Sequence, residues 1–204
     1  MNQPWFKFNG QSKWFLSVST FLAIAVAGYA FALPYLLTVM PDNGFHENFL
    51  ERNMLYYYLH FFAGAVALII APIQLWVVNR YVNVHKVLGR VYVLAVLIAS
   101  LSSFYMAYFA VGGWIGSLGL TLLGCFWLFS TGKAIFHIRQ KNIHAHKVWM
   151  IRSIALTFAA VTLRIEMPFL GLMFDQVTSS QIVYWLCWVG NLMVVQLWIN
   201  KLKP

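Results

Sequence analysis

Three ionisable side chains lie inside long apolar runs of the sequence: His60, Arg164 and Glu166. A charge in hydrocarbon costs about 2.5–3.5 kcal/mol on insertion scales, so such residues face a partner, a cavity or a cofactor. Arg164 and Glu166 are two positions apart on a helix, about 200° around its axis, and cannot pair with each other. We therefore expect His60 to be the partner of Glu166. The three residues form a predicted polar intramembrane site, and a buried network that fixes helix register is the alternative to a working site.

A second chemical group is predicted at one membrane face. It comprises four of the six histidines and two arginines: His85, His137, His144, His146, Arg90 and Arg152. In an extended loop, His144 and His146 could share a metal, but no carboxylate lies on this side to act as a fourth ligand or as a hydrolytic base, which disfavours a metallohydrolase. Histidines with arginines suit haem propionates, a lipid phosphate or a quinone headgroup instead. The alternative is a set of ordinary interfacial residues.

The elements that must position both groups are membrane helices. The chain is 61% hydrophobic and 9% charged, whereas a soluble domain carries about 25% charged residues, so a water-soluble fold is excluded. Apolar runs of about 20 residues cross a hydrocarbon core of about 30 Å. Six predicted spans fill residues 1–204 as one transmembrane domain: about 15–40, 55–79, 88–111, 115–138, 147–173 and 180–200. Short connections predict an antiparallel, all-α, up-and-down bundle.

The charges are distributed by loop. Basic residues occupy the connections on one side and both chain ends: Lys7, Lys13, Arg80, Lys86, Arg90, Lys133, Arg139, Lys141, Lys147, Lys201 and Lys203. By the positive-inside rule this is the cytoplasmic side, so both termini are predicted to be cytoplasmic. The net charge of +9 therefore reflects the membrane topology. The basic residues face anionic lipid, and we expect no nucleic acid as partner.

Small and polar residues mark the faces that helices bury against each other in lipid. The second span carries such a face at steps of four and three, composed of His60, Gly64, Ala67, Ala71 and Gln74. The fifth span carries two adjacent rows, so we expect it to be central in the bundle. Proline inside a span predicts a kink, Pro168 included, and the Gly112–Gly113 pair predicts a turn.

Several of these residues form a pattern. The second span has His60-x-x-x-Gly64, the segment His85-x-x-x-Gly89-Arg90-x-Tyr92 leads into the third, and His146-x-x-Trp149-Met150-x-Arg152 leads into the fifth. The chain resembles, over about residues 55–170, a family of bacterial predicted multi-pass membrane proteins classed as a domain of unknown function. That resemblance implies a bacterial inner-membrane location and signature positions, but it implies no activity. A looser likeness is to membrane cytochromes b, which would place one haem between His85 and either His137 or His146.

Two functional hypotheses follow. In the first, the protein is a redox protein that binds one haem b or a quinone near the cytoplasmic face, using His85, His137, His146, Arg90, Arg152 and Tyr92; His85 and His146 are the ligands if haem or metal is present. In the second, it transports protons or a small solute, or is an accessory subunit of a membrane complex or homo-oligomer, and His60, Arg164 and Glu166 are its site. A catalytic lipid enzyme ranks third because no pair of nucleophile and base can be named.

Overall fold

The structure is a computed structural model that describes residues 10–39 and 53–201. All regular structure in these residues is helical, as predicted. The helices are α1 (Gly10–Val39), α2 (Met54–Val77), α3 (Val82–Tyr108), α4 (Gly113–Arg139), α5 (Ile143–Thr157), α6 (Ala159–Gly171) and α7 (Gln176–Lys201).

Five spans in the described residues are long and apolar enough to cross a membrane: α2, α3, α4, α5 together with α6, and α7. In α1 the apolar part is shorter and covers Leu16–Ala32. The prediction of a helical membrane bundle is therefore confirmed. The side on which the termini lie stays a prediction.

Several helices begin earlier than predicted, and for two of them the difference concerns the histidines. Helix α3 begins at Val82 and α5 at Ile143, whereas the apolar runs predicted starts near 88 and 147. The added N-terminal turns are helical because their backbone N–H groups bond to the preceding turn. The N–H of His85 donates to the Tyr81 carbonyl at 2.9 Å, and that of His146 donates to the Asn142 carbonyl at 3.0 Å. His144 and His146 consequently lie on a helix, where residues two apart diverge by about 200°. The extended loop from which His144 and His146 could share a metal is thus replaced by a helix.

Four helices form the centre of the bundle. Helix α2 packs on α3, α3 on α4, α4 on α5, and α5 on α2. This closed order makes α3 and α5 diagonal partners across the bundle axis. Helix α1 packs outside α2, and α7 packs on α4, α5 and α6. The fifth span contacts α2, α4 and α7, so its predicted central position is confirmed.

A buried polar network joins three of these helices at the centre. The hydroxyl of Tyr92 on α3 lies 2.8 Å from Ser153 Oγ and 2.7 Å from Thr157 Oγ1, both on α5. From α4, Trp127 Nε1 donates to Thr157 Oγ1 at 3.1 Å, and Thr131 Oγ1 lies 2.7 Å from Ser153 Oγ. Tyr92 is 0% exposed. Because lipid gives helices no hydrophobic reason to associate, such bonds and close packing fix the arrangement.

The fifth span is divided into α5 and α6 at Phe158, although no proline lies there. The Phe158 carbonyl accepts from the backbone N–H groups of Val161 and Thr162, both at 3.0 Å, and from Thr162 Oγ1 at 3.1 Å. Sharing one carbonyl among three donors tightens the turn locally. Helix α6 continues past Pro168 to Gly171, so this span is interrupted at Phe158, ten residues before the proline at which we expected the kink.

The predicted turn at Gly112 and Gly113 is confirmed. Their φ angles are +101° and +60°, in the left-handed region that glycine adopts without steric cost. Gln181 on α7 donates to the Gly112 carbonyl at 3.0 Å. The turn is thus tied to the neighbouring span.

Gly119 permits close packing of α4 on α7. A Cβ added there would lie 2.9 Å from Trp185 Nε1 and 3.0 Å from the Tyr184 carbonyl oxygen. We expect Gly119→Ala to destabilise the protein by about 1–3 kcal/mol through overpacking, measured as unfolding in mixed detergent micelles. The control is Gly132→Ala on the same helix, where a Cβ meets nothing within 4 Å. Equal stability of the two variants would contradict the close packing of α4 and α7.

The Asp175 carboxylate caps the start of α7. It accepts from the Thr178 hydroxyl at 2.6 Å and from the N–H groups of Thr178 and Val177 at 3.1 and 2.9 Å. These bonds, that of the Thr178 hydroxyl first, lower the pKa of the Asp175 carboxyl. The cap therefore stabilises α7 above the pKa of the unfolded chain, and this stabilisation is lost as the pH falls through the folded pKa. We expect the hydrogen-exchange protection of the Val177 and Thr178 amides to fall as the pH decreases through the folded pKa of Asp175. In Asp175→Asn this protection should not change over the same pH range.

Candidate functional site

Three histidines lie together at one end of the bundle, which we call the histidine end. His85 is in the first turn of α3, His137 in the last turn of α4, and His146 in the first turn of α5. His146 interacts electrostatically with both His85 and His137. All three are half-buried, whereas His144 is exposed. The structure thus brings together three of the four histidines that the sequence predicted for this face.

His85 and His146 occupy equivalent positions on parallel helices. Tyr92 and Ser153 are hydrogen-bonded across the bundle axis, and each histidine precedes its partner in that bond by seven residues. Seven residues are about two helical turns, so each histidine lies on nearly the same face as the residue it precedes. The two residues are therefore at one level on diagonal helices. The His146 ring is directed to the Ala134 carbonyl on α4, and the His85 ring lies beside the Gln74 backbone on α2.

His146 has a defined ring orientation. Its Nδ1 lies 2.8 Å from the carbonyl oxygen of Ala134 on α4. A carbonyl only accepts, so Nδ1 carries the hydrogen and Nε2 of the neutral ring keeps a lone pair. Histidines that bind metals are commonly oriented in this way, by an N–H bond from the other ring nitrogen to a carbonyl.

Unpartnered polar atoms concentrate at the histidine end. Five side-chain atoms in the described residues are buried without a hydrogen bond, and three of them are here: His85 Nδ1, His137 Nδ1 and Gln74 Oε1. Gln74 is 3% exposed, and its Nε2 donates to the His85 carbonyl at 3.1 Å. Because buried polar atoms are nearly always hydrogen-bonded, this concentration is typical of a site that takes a ligand.

Gly89 on α3 and Met150 on α5 each lie one turn further along the helix than His85 and His146. A Cβ added at Gly89 would lie 3.4 Å from Gln74 Nε2, so the Gln74 side chain packs directly over this glycine.

The other residues predicted for this site are placed elsewhere. Arg152 stacks on Trp149, 4.4 Å from the ring centre, and donates to Gln196 on α7 at 2.8 Å, so it is directed away from His85. Tyr92 is buried in the central network, and Arg90 is exposed. Sequence reasoning missed Gln74 as part of this site. The sequence did contain a signal: a glutamine in an apolar span has two N–H donors and an oxygen with two lone pairs, all of which need partners.

The histidine pair offers two nitrogen ligands. In the described residues no group of three or more histidine, cysteine, aspartate or glutamate side chains is arranged to hold a metal ion. A bare structural or catalytic metal takes three or four protein ligands, whereas haem iron takes one or two axial ligands.

At the opposite end of the bundle, His60 and Glu166 have different surroundings. His60 Nδ1 lies 2.8 Å from the carbonyl oxygen of Ala99 on α3. Glu166 Oε2 is buried and has no hydrogen-bond partner among the described residues, and the Glu166 carboxylate interacts electrostatically with Cys187 on α7. The expected pairing of His60 with Glu166 is not found. The structure instead brings His60 and Arg164 close enough to interact.

Arg164 is held by two contacts. Its Nη1 donates to the Ala160 carbonyl at 2.8 Å, and its guanidinium carbon lies 5.5 Å from the ring centre of Tyr29 on α1. Neither contact involves Glu166, which agrees with the spacing argument. The predicted three-residue site is therefore divided into a His60–Arg164 group and a separate Glu166.

The profile of one protein family matches residues 57–199, and that family is described as "Predicted membrane protein (DUF2306)". The match covers α2 to α7 almost completely and includes the histidine end. No curated protein and no solved structure matches the chain.

Proposed function

The chain belongs to the DUF2306 family of predicted membrane proteins, and we propose that it is a membrane redox protein that holds one haem b between His85 and His146. The observation that carries the proposal is the equivalent placement of these two imidazoles on diagonal helices. Both lie seven residues before one interhelical hydrogen bond, that of Tyr92 with Ser153.

The diagonal arrangement suits a planar ligand. Neighbouring helix axes in a bundle are about 8–10 Å apart, so the diagonal of a square of four helices is about 13 Å. Only the wider separation leaves room for a flat group between two opposed side chains. Bundle proteins commonly build cofactor sites from side chains on facing helices in this way.

The protein residues contribute orientation and hydrogen bonding. The bond from His146 Nδ1 to Ala134 fixes that ring and leaves Nε2 as the nitrogen that would bind iron, and such a bond increases the basicity of a ligating imidazole. His137 Nδ1, buried without a partner, is available for a propionate. Bound haem supplies one-electron transfer, which the amino acids of this site do not supply themselves.

The membrane orientation belongs to the same proposal. Basic residues surround the histidine end: Arg80, Lys86, Arg90, Lys133, Arg139, Lys141 and Lys147. No acidic residue lies in residues 77–147, so the positive-inside rule assigns this end to the cytoplasmic face of a bacterial inner membrane, against anionic lipid. Arg90 is exposed, so it would meet a propionate only at the membrane surface.

A quinone is the second candidate ligand, and Gln74 favours it. An amide oxygen does not ligate haem iron in the way imidazole does, yet Gln74 Oε1 is buried and unpartnered beside His85. It would accept a hydrogen bond from a quinol hydroxyl, while imidazole N–H groups would donate to a quinone carbonyl.

The test is an absorption spectrum of the full chain purified in detergent, oxidised and then reduced with dithionite, followed by titration with haemin. We expect a Soret band and the reduced absorption bands of a low-spin haem with two histidine ligands. The haemin titration curve should break at one haem per chain. A protein that shows no haem and binds no haemin stoichiometrically would overturn the haem assignment. Extraction of the same sample with organic solvent then tests for quinone.

A further inference from the structure

Arg164 places a permanent positive charge in a membrane-spanning segment, away from the histidine end. It lies seven residues before the end of α6 at Gly171, a depth of about 10 Å along the helix. An arginine side chain does not lose its proton in proteins. In a low-dielectric environment this charge requires a compensating anion.

The acidic residues described by the structure do not provide that anion. The chain has five acids, of which two, Glu166 and Asp175, lie in the described residues. Glu166 is two positions from Arg164 on α6 and its Oε2 has no partner. Asp175 is exposed and caps α7. The charge of Arg164 is therefore uncompensated within the part of the chain that the structure describes.

The Arg164 guanidinium is nevertheless held in position, and part of it remains accessible to a ligand. Nη1 is held by the Ala160 carbonyl, and the ring of Tyr29 lies beside the group. The other guanidinium nitrogens make no hydrogen bond in the described residues and are not fully enclosed. Such a planar donor group binds phosphate or carboxylate oxygens with two parallel hydrogen bonds.

Three neighbouring residues indicate the direction from which a ligand would reach Arg164. Tyr29 is 45% exposed, so this side of the group opens on the outer surface of the bundle, which faces lipid. His60 interacts with Arg164 from α2. Gly64, one turn further along α2, has nothing within 4 Å of an added Cβ, so there is space beside His60.

We propose that Arg164, positioned by Tyr29 and flanked by His60, binds a phosphate oxyanion that enters from the lipid-facing side of the bundle between α1, α2 and α6. The phosphate belongs to an anionic lipid headgroup or to a free phosphate. The site is separate from the histidine end, and its occupation does not depend on haem.

The test uses thermal unfolding of the full chain in maltoside micelles, followed by tryptophan fluorescence, with phosphatidylglycerol or sodium phosphate as probe. Measurements at about 1 M salt, where the Debye length is about 3 Å, suppress binding to exposed basic residues. We expect one probe to raise the unfolding midpoint of the wild-type protein. Arg164→Gln should weaken that binding by about 10–100-fold, since a charge-assisted hydrogen bond contributes about 1.5–3 kcal/mol.

The matched control is Arg80→Gln, because Arg80 is exposed and lies in the turn between α2 and α3. It should respond to the probe as the wild type does. A shift with phosphatidylglycerol alone identifies the lipid as the source, and a shift with sodium phosphate identifies the free ion. The proposal is overturned if neither probe shifts the wild-type protein, which does not depend on folding of the variant, or if Arg164→Gln responds fully.

Discussion

His85→Ala and His146→Ala should each lose more than about nine tenths of the bound haem. Removing only a hydrogen-bond partner of a ligating histidine typically costs about 10–100-fold in affinity, and removing the ligand itself should cost at least as much. The measurement is the haem-to-protein ratio after purification, with the Soret absorbance and the haemin titration of each variant. A residual pentacoordinate spectrum is expected where one axial ligand remains.

Two other histidines provide the controls. His144→Ala removes an exposed imidazole two residues from His146 and should leave the spectrum unchanged. His137→Ala removes a buried ring nitrogen and should shift the reduction potential or weaken binding without changing the two-histidine spectrum. If His137→Ala abolishes that spectrum while His146→Ala preserves it, His137 is the second ligand and the diagonal arrangement is not the haem site.

Tyr92→Ala should destabilise the protein by about 3–5 kcal/mol, the cost of removing a buried aromatic side chain. The loss combines a cavity at the bundle centre with the broken connection of α3 to Ser153 and Thr157 on α5. Tyr92→Phe retains the ring and removes only the hydroxyl, so we expect about 0.6–1.7 kcal/mol, the range measured for hydrogen bonds between membrane helices. Unfolding in mixed detergent micelles measures both.

Tyr108→Ala is the matched control for this series. Tyr108 lies at the end of the same helix and is 78% exposed, so its removal should change the unfolding free energy by less than about 0.5 kcal/mol. Equal effects of Tyr92→Ala and Tyr108→Ala would contradict the central position of the network. If Tyr92→Phe folds, its spectrum also reports whether the Tyr92 hydroxyl maintains the alignment of His85 with His146.

The sequence by itself determined the class of the protein, most of its elements and the residues worth testing. Long apolar runs and sparse charge are direct consequences of burial in lipid, so five spans and the turn at Gly112 were readable from the chain. The His85 and His146 patterns were likewise visible. Their common seven-residue spacing to Tyr92 and Ser153 is a property of the sequence, but it had no meaning until those two residues were known to touch.

Only the tertiary structure decided which side chains meet. The packing of α2 to α5 made α3 and α5 diagonal, directed Arg152 to Gln196 on α7, and placed Ala99 rather than Glu166 against His60. It also divided the fifth span at Phe158, where one carbonyl accepts three hydrogen bonds. The physical reason is that apolar length and helical spacing are local properties of a segment. Rotation of a helix and the choice of its neighbours depend instead on contacts between residues far apart in the chain.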